Sequence, residues 1–217
     1  KAFRNRIKGL DSSISTFFVN VVLHKNMMEY RNHNYYYFVK EDAWCNSNYT
    51  EETWPQGFGL FYTASSRSAE YAEGVTVMAY MRYDEVRKWE NTFNTVSNEV
   101  SRGEDYEEFK RRKSEKLFDL VETRFPGFKA AIKSYYAATP LSMRDYIGTS
   151  DGSLYGIVKD YREPMRTFIS PRTKIPNLLL TGQNLNLHGV LGVTVSSVLT
   201  CSEIFGGAYL IEKIRNA

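Results

Sequence analysis

The sequence predicts an α+β fold, a mainly antiparallel (mixed) sheet covered by helices. Two observations predict it. Between Ser15 and Arg82, four short runs rich in β-branched and aromatic residues follow one another with turns between them. Strands joined that way pair antiparallel rather than through crossover helices. Downstream, Tyr106, Phe109, Leu117, Leu120 and Val121 recur at helical spacing and give one apolar face able to cover a sheet.

The elements follow in order. Ser15–His24, reading STFFVNVVLH, suits a strand buried on both faces. Tyr35–Val39 is a second strand, Gly57–Ser65 a third and Gly74–Arg82 a fourth. Between them Glu41–Pro55 is polar and Asn-rich, a loop with room for a short helix. Asp84–Trp89 predicts a short helix. Ser101 and Glu104 have the spacing of a capping box and open the longest mid-chain helix, Ser101–Arg124, which Phe125-Pro126-Gly127 ends. Phe128–Lys133 reads as a short helix and Ser134–Ala138 as a further strand.

Composition narrows the function classes. The 217 residues fit one domain or one and a half, and a net charge of +3 from mixed signs does not call for nucleic acid. The basic run Lys110–Lys113 follows Glu107 and Glu108, placed i,i+4 from Arg111 and Arg112, so it reads as a solvated, paired helix face. Cys45 and Cys201 form no CxxC and read as free thiols of a reducing compartment. His24, His33 and His188 are scattered, and no metal site is expected. No signal peptide is visible. The most apolar stretch, Leu185–Leu199, falls short of the roughly 20 apolar residues that span a bilayer. The expected location is cytoplasmic, compatible with peripheral membrane contact.

The most informative stretch is Lys174–Glu203. Asn177–Thr181 has the length and apolar character of a buried strand. Gly182 ends it, Gln183–His188 make a polar turn region, and Gly189 opens a helix of small and apolar residues expected to pack tightly. The first N–H groups of a helix lack intrahelical partners and, with the macrodipole, favour an electron-rich group. Glycines at positions 182 and 189 allow close approach of a ligand to the backbone.

The run PRTKIPNLLLTGQNLNLHGVLGVTVSSVLTCSEI, Pro171–Ile204, resembles the carboxy-terminal flavin motif of the carotenoid desaturase, carotenoid isomerase and retinol saturase flavoproteins, the phytoene dehydrogenase-related family. Its TGQ element, loop and Gly-apolar-apolar-Gly helix start look most like the retinol saturase branch. Thr139-Pro140-Leu141-Ser142, Arg144-Asp145-Tyr146-Ile147-Gly148 and Asp151-Gly152-Ser153-Leu154-Tyr155-Gly156 also match the family pattern, and the resemblance runs from about Phe125 to Ile214. It implies that Gly182 and Gln183 lie along the ribityl and pyrophosphate of FAD. It also implies that Gly189, Val190 and Leu191 turn their N–H groups to the flavin ring. Gln183 stands where many members carry Asp or Glu, and Gln still donates or accepts a hydrogen bond. The implied substrate is a long hydrophobic conjugated polyene, acted on by saturation, desaturation or isomerisation of C=C bonds. No individual catalytic residue is assigned. His188 reads first as a loop hydrogen-bonder and second as a flavin or substrate contact.

The strand–GxGxxG–helix unit that holds the ADP half of FAD in such enzymes does not occur here. Gly57-Phe58-Gly59 has no third glycine, and the chain starts at Lys1 rather than Met. The expectation is a partial chain: a substrate-binding domain over 1–170, and a strand–loop–helix over 171–217 that belongs to a cofactor domain whose N-terminal dinucleotide-binding part is missing. Such a piece is expected to be inactive and to retain FAD poorly. Tyr35, Tyr36, Tyr37, Phe58, Phe61 and Tyr62 are each read first as core or sheet surface, and as a group as the wall of an elongated apolar pocket. Two other readings stand beside the polyene enzyme: part of a flavin amine oxidase, or a non-catalytic domain that binds hydrophobic ligands or proteins.

Overall fold

The structure, a computed structural model, describes residues 2–65 and 70–217, with the side chain of Ala43 outside the description. In chain order the elements are α1 (Ala2–Lys8), β1 (Ser15–Leu23), β2 (Tyr35–Phe38), β3 (Gly57–Tyr62), β4 (Gly74–Met81), α2 (Glu104–Glu122), α3 (Phe128–Ala131), β5 (Ile132–Ala138), α4 (Pro140–Ile147), α5 (Pro164–Thr167), α6 (Gly189–Phe205) and α7 (Gly207–Arg215). Short 3-10 segments lie at Ala43–Ser47, Tyr83–Trp89 and Ser150–Gly152. The chain forms two compact units. Ile14–Gly152 is one, and the residues on either side of it make the other.

The Ile14–Gly152 unit is α+β. Its five strands run β2-β3-β4-β1-β5, each antiparallel to its neighbours. Alternation decides which side chains reach the core, because successive Cβ atoms point to opposite faces. Phe17, Val19 and Val21 of β1 and Val75, Val77, Ala79 and Met81 of β4 are buried on one face. α2 covers that face with Tyr106, Phe109, Lys113, Leu117, Phe118 and Val121, spaced as one helical stripe. Each fully buried Leu or Val here contributes on the order of 1.5–3 kcal/mol relative to exposure. The register between β1 and β5 slips at Val22/Leu23.

The start of α2 departs from the sequence expectation. The residue that precedes the helix is Gly103, at φ +91, and not Ser101. The Ser101 hydroxyl accepts instead from the Gly103 N–H at 3.2 Å, a local turn that uses up the would-be cap. A capping box does form at α4. Thr139 Oγ1 accepts from the Leu141 N–H at 3.2 Å, and Ser142 Oγ accepts from the Thr139 N–H at 3.3 Å.

The basic run is paired, at i,i+3 spacing: Lys110 with Glu107 and Arg111 with Glu108, each at 2.7 Å. Arg112 reaches Glu51 at 3.2 Å instead, and Lys113 departs furthest from a solvated face. Its position on the buried stripe takes it out of solvent entirely, where it pairs with Glu85 and, at 2.8 Å, with Glu51. The Trp54 ring lies 4.6 Å from its ammonium.

In the other unit the expected buried strand at Asn177–Thr181 does not form. Only an isolated bridge, Leu179 to Arg172, is made there, and Asn177 and Leu178 are exposed. No neighbouring strand among the described residues completes a ladder, and an apolar run without a partner cannot satisfy its N–H and C=O groups as a strand. Likewise α6 begins at the expected Gly189, but only Gly192 and Ser196 on it are buried. The tightly packed helix of the expectation is mostly exposed.

Candidate functional site

The candidate site is the loop 182–188 and the first turn of α6. Gly182 (φ +104) and Gly189 (φ +71) both adopt the left-handed region that favours glycine, and a Cβ at either would meet nothing within 4 Å. The backbone at both is therefore open to an incoming group. Between them the Leu185 N–H donates to the Gly182 carbonyl at 3.2 Å, closing a turn around the buried Leu185. Gln183 is half-buried, and its amide has no hydrogen-bond partner among the described residues.

His188 occupies the N-cap of α6 and makes no side-chain capping bond. Among the described residues, the first-turn N–H groups of this 17-residue helix find no side-chain acceptor. Val190 and Leu191, 89% and 77% exposed, stand beside them. The third glycine has a different use. A Cβ on Gly192 would lie 2.6 Å from the Leu187 carbonyl carbon, so glycine there lets the helix close on its own loop. The ring of His188 packs 4.7 Å from the ring of Tyr155, at 41°.

The segment Tyr155–Lys159 runs along the loop. The Ile157 N–H donates to Asn184 Oδ1 at 3.0 Å, and Lys159 Nζ donates to the carbonyls of Asn184 at 2.8 Å and Leu185 at 3.0 Å. Burial pushes Lys159 below the ordinary lysine range. Further along, Arg172 ties the run before the loop to the end of α6, donating to Glu203 Oε2 at 2.8 Å and the Glu203 carbonyl at 2.7 Å.

In the Ile14–Gly152 unit the aromatic group divides by strand parity. Tyr35, Tyr37, Phe58 and Tyr62 face the helix-covered core. Tyr36 and Phe61 lie on the opposite face with Phe38 and Tyr136, and Tyr36, Phe38 and Tyr136 are exposed. Tyr36 and Phe61 meet edge to face at 5.7 Å. Gly59 makes room for them, since a Cβ there would stand 2.9 Å from the Phe61 ring. Between that pair and Tyr136 the face is polar, where Thr76 Oγ1 donates to Asn20 Oδ1 at 2.8 Å, so the flat apolar area open to a hydrophobic ligand lies at Tyr36, Phe38 and Phe61.

The motif residues Arg144 and Asp145 are structural. The Asp145 side chain is fully buried; its Oδ2 accepts the Asn94 N–H at 2.9 Å and pairs with Arg102, while Oδ1 accepts Arg144 Nε at 2.6 Å. Burial works against the charge on Arg144, yet hydrogen bonds to Asp145 and Tyr83 carry its pKa above the usual guanidinium value. Gly152, also in the matched motif, sits at φ +56 with space for no side chain. A Cβ would be 2.0 Å from the Pro140 carbonyl oxygen.

Among the described residues no group of three or more His, Cys, Asp or Glu could hold a metal ion, and no helix is long and apolar enough to cross a membrane. Both cysteines are free, Cys45 buried and Cys201 exposed.

No family model matches the chain. Among curated proteins it is 29% identical over 133 residues to an all-trans-retinol 13,14-reductase of Danio rerio, a match covering 60% of this chain and 21% of that protein. It is 32% identical over 119 residues to an inactive all-trans-retinol 13,14-reductase of the same organism, covering 54% and 19%. With the all-trans-retinol 13,14-reductase of Rattus norvegicus it shares 23% identity over 207 residues, 88% of this chain and 33% of the relative. The chain spans a third or less of the length of the curated relatives it matches. By sequence the chain is similar to all-trans-retinol 13,14-reductases over part of their length, in agreement with the retinol saturase resemblance of its carboxy-terminal motif.

Proposed function

We propose that the chain is the carboxy-terminal part of an FAD-dependent oxidoreductase that saturates a C=C bond of a retinoid-like conjugated polyene. The observation that carries this reading is the start of α6. Uncapped N–H groups and two left-handed glycines with open space over them fit an electron-rich ring and its ribityl–pyrophosphate chain. The names of the relatives supply the substrate class. FAD, when bound, supplies the hydride chemistry, and the protein supplies binding, orientation and electrostatics. In this reading Gly182 and Gln183 run beside the ribityl and pyrophosphate, and Gly189, Val190 and Leu191 present N–H groups to the ring. Those N–H dipoles stabilise negative charge on the ring's N1–C2=O edge. On the sheet of the Ile14–Gly152 unit, the Tyr36–Phe61 pair offers apolar area to a polyene. The segment 171–217 is the cofactor part and 1–170 the substrate part, completed by a dinucleotide-binding domain.

The test uses full-length protein with FAD, a chemical reductant and all-trans-retinol. Saturating one C=C shortens the conjugated system, so the retinol absorption band should move to shorter wavelength only when both protein and FAD are present. A flavin-loaded protein that leaves the band unmoved in repeated assays with retinol and a longer carotenoid would end the polyene reading.

The 217-residue chain by itself is expected to bind FAD weakly. One helix N-terminus contributes only about 0.3–2 kcal/mol towards a charged group, and no GxGxxG turn is present to take the ADP half. The check is the visible spectrum of the purified chain. A yellow preparation carrying one FAD per chain would show that 171–217 needs no second cofactor element.

A further inference from the structure

We propose that Lys159 and Asn184, with Gly156 between them, form a clamp that holds the 182–188 backbone in the shape that meets the cofactor. This assigns them as positioning residues and rests on the cofactor reading of the loop given above.

Four observations converge on the clamp. Asn184 is the only loop side chain among the described residues with a bond to the segment before it, accepting the Ile157 N–H at 3.0 Å. That bond requires glycine at position 156. A Cβ there would sit 2.0 Å from Asn184 Oδ1, and Gly156 also holds φ +75. Lys159 reaches over the same loop and donates to two successive carbonyls, Asn184 at 2.8 Å and Leu185 at 3.0 Å. Lys159 makes no ion pair with a carboxylate among the described residues, so its half-buried ammonium is satisfied chiefly by loop backbone. The two carbonyls it holds belong to the turn that Leu185 closes onto Gly182. Orienting those carbonyls fixes the peptide planes on either side of Leu185. The approach to the α6 N-terminus is thereby fixed too. The device therefore acts on backbone that carries the site, with no side chain of its own at the ring.

The experiment separates clamp from cofactor. In the 217-residue chain without FAD, amide hydrogen exchange across 182–188 reads the loop itself. Lys159→Met keeps the stem and removes the donors; Asn184→Ala removes the acceptor, and Asn184→Asp keeps it. Lys159→Met and Asn184→Ala are each expected to speed exchange in the loop by roughly tenfold or more, the loss of a charge-assisted or well-aligned bond. Asn184→Asp should leave the loop protected. The same substitutions in the full-length protein should weaken FAD binding by a similar factor, with the thermal melt of the Ile14–Gly152 unit unmoved. Exchange unchanged in both Lys159→Met and Asn184→Ala overturns the clamp, whatever the flavin does. Faster exchange with FAD affinity at the parent level keeps the clamp and removes the cofactor reading of the loop.

Discussion

Asp145→Ala should cost the Ile14–Gly152 unit about 3–5 kcal/mol of stability, because it leaves buried charge without its partner. Asp145 and Arg102 have side chains 0% and 4% exposed, and Arg144 approaches the same carboxylate from the other side. The substitution removes acceptors from Arg102, from Arg144 Nε and from the Asn94 N–H together. Arg144 keeps its bonds to the Glu90 carbonyl at 2.6 Å and to the Thr92 carbonyl, so it stays in place with its charge uncompensated. Arg102 keeps the Thr92 hydroxyl at 2.9 Å and the Tyr106 ring at 5.1 Å, neither of which is an anion. The measurement is denaturant unfolding, and the melting temperature should fall by roughly 6–20 °C. Asp145→Asn should recover only part of the loss, since an amide accepts from one arginine and turns a donor towards the other. A change under about 1 kcal/mol would place the cluster in the class of solvated surface pairs.

The same cluster shows how far a sequence reaches. Arg144-Asp145 stood out within a family-like motif, but its meaning did not. Its partners come from Tyr83, Glu90, Thr92, Asn94 and Arg102, a stretch with no periodicity to read. The strands were legible because β-branched alternation and burial have the same cause. That alternation also explains the divided tyrosines: in Tyr35-Tyr36-Tyr37 the middle residue must face away from its neighbours, and it is the exposed one. Lys113 was readable in principle, at four-residue spacing from Phe109 and Leu117 on the buried stripe, but its basic neighbours masked the signal.

The carboxy-terminal segment was legible in the opposite sense. Its glycines marked backbone special in conformation, and Gly182 and Gly189 are both left-handed. Burial was overestimated. Apolar content predicts that a run will be covered when a partner surface exists, and neither Asn177–Thr181 nor α6 finds one among the described residues. The clamp across Gly156 and Asn184 could not have been read at all, since residues so far apart in sequence share no local pattern.

Gly189→Val, made in the full-length protein, should abolish flavin retention while leaving the fold intact. At φ +71 any Cβ is strained, and a β-branched one most of all. The penalty is about 1–2 kcal/mol, which a folded domain with a stability of roughly 5–15 kcal/mol tolerates. Nothing within 4 Å of the new Cβ is displaced, so the added bulk lies in the open space over the first turn of α6, where the proposal puts the ring. The comparison variant is Gly148→Val. Gly148 caps α4 at φ +75, also with nothing within 4 Å of a Cβ, so it carries the same backbone strain at a position with no proposed cofactor role. Both variants should melt a few degrees below the parent, in proportion to that shared strain. Only Gly189→Val should lose the flavin absorbance per protein and the turnover of retinol. Equal loss of flavin in both would trace the effect to strain. Full flavin content with normal turnover in Gly189→Val would take the ring away from the start of α6.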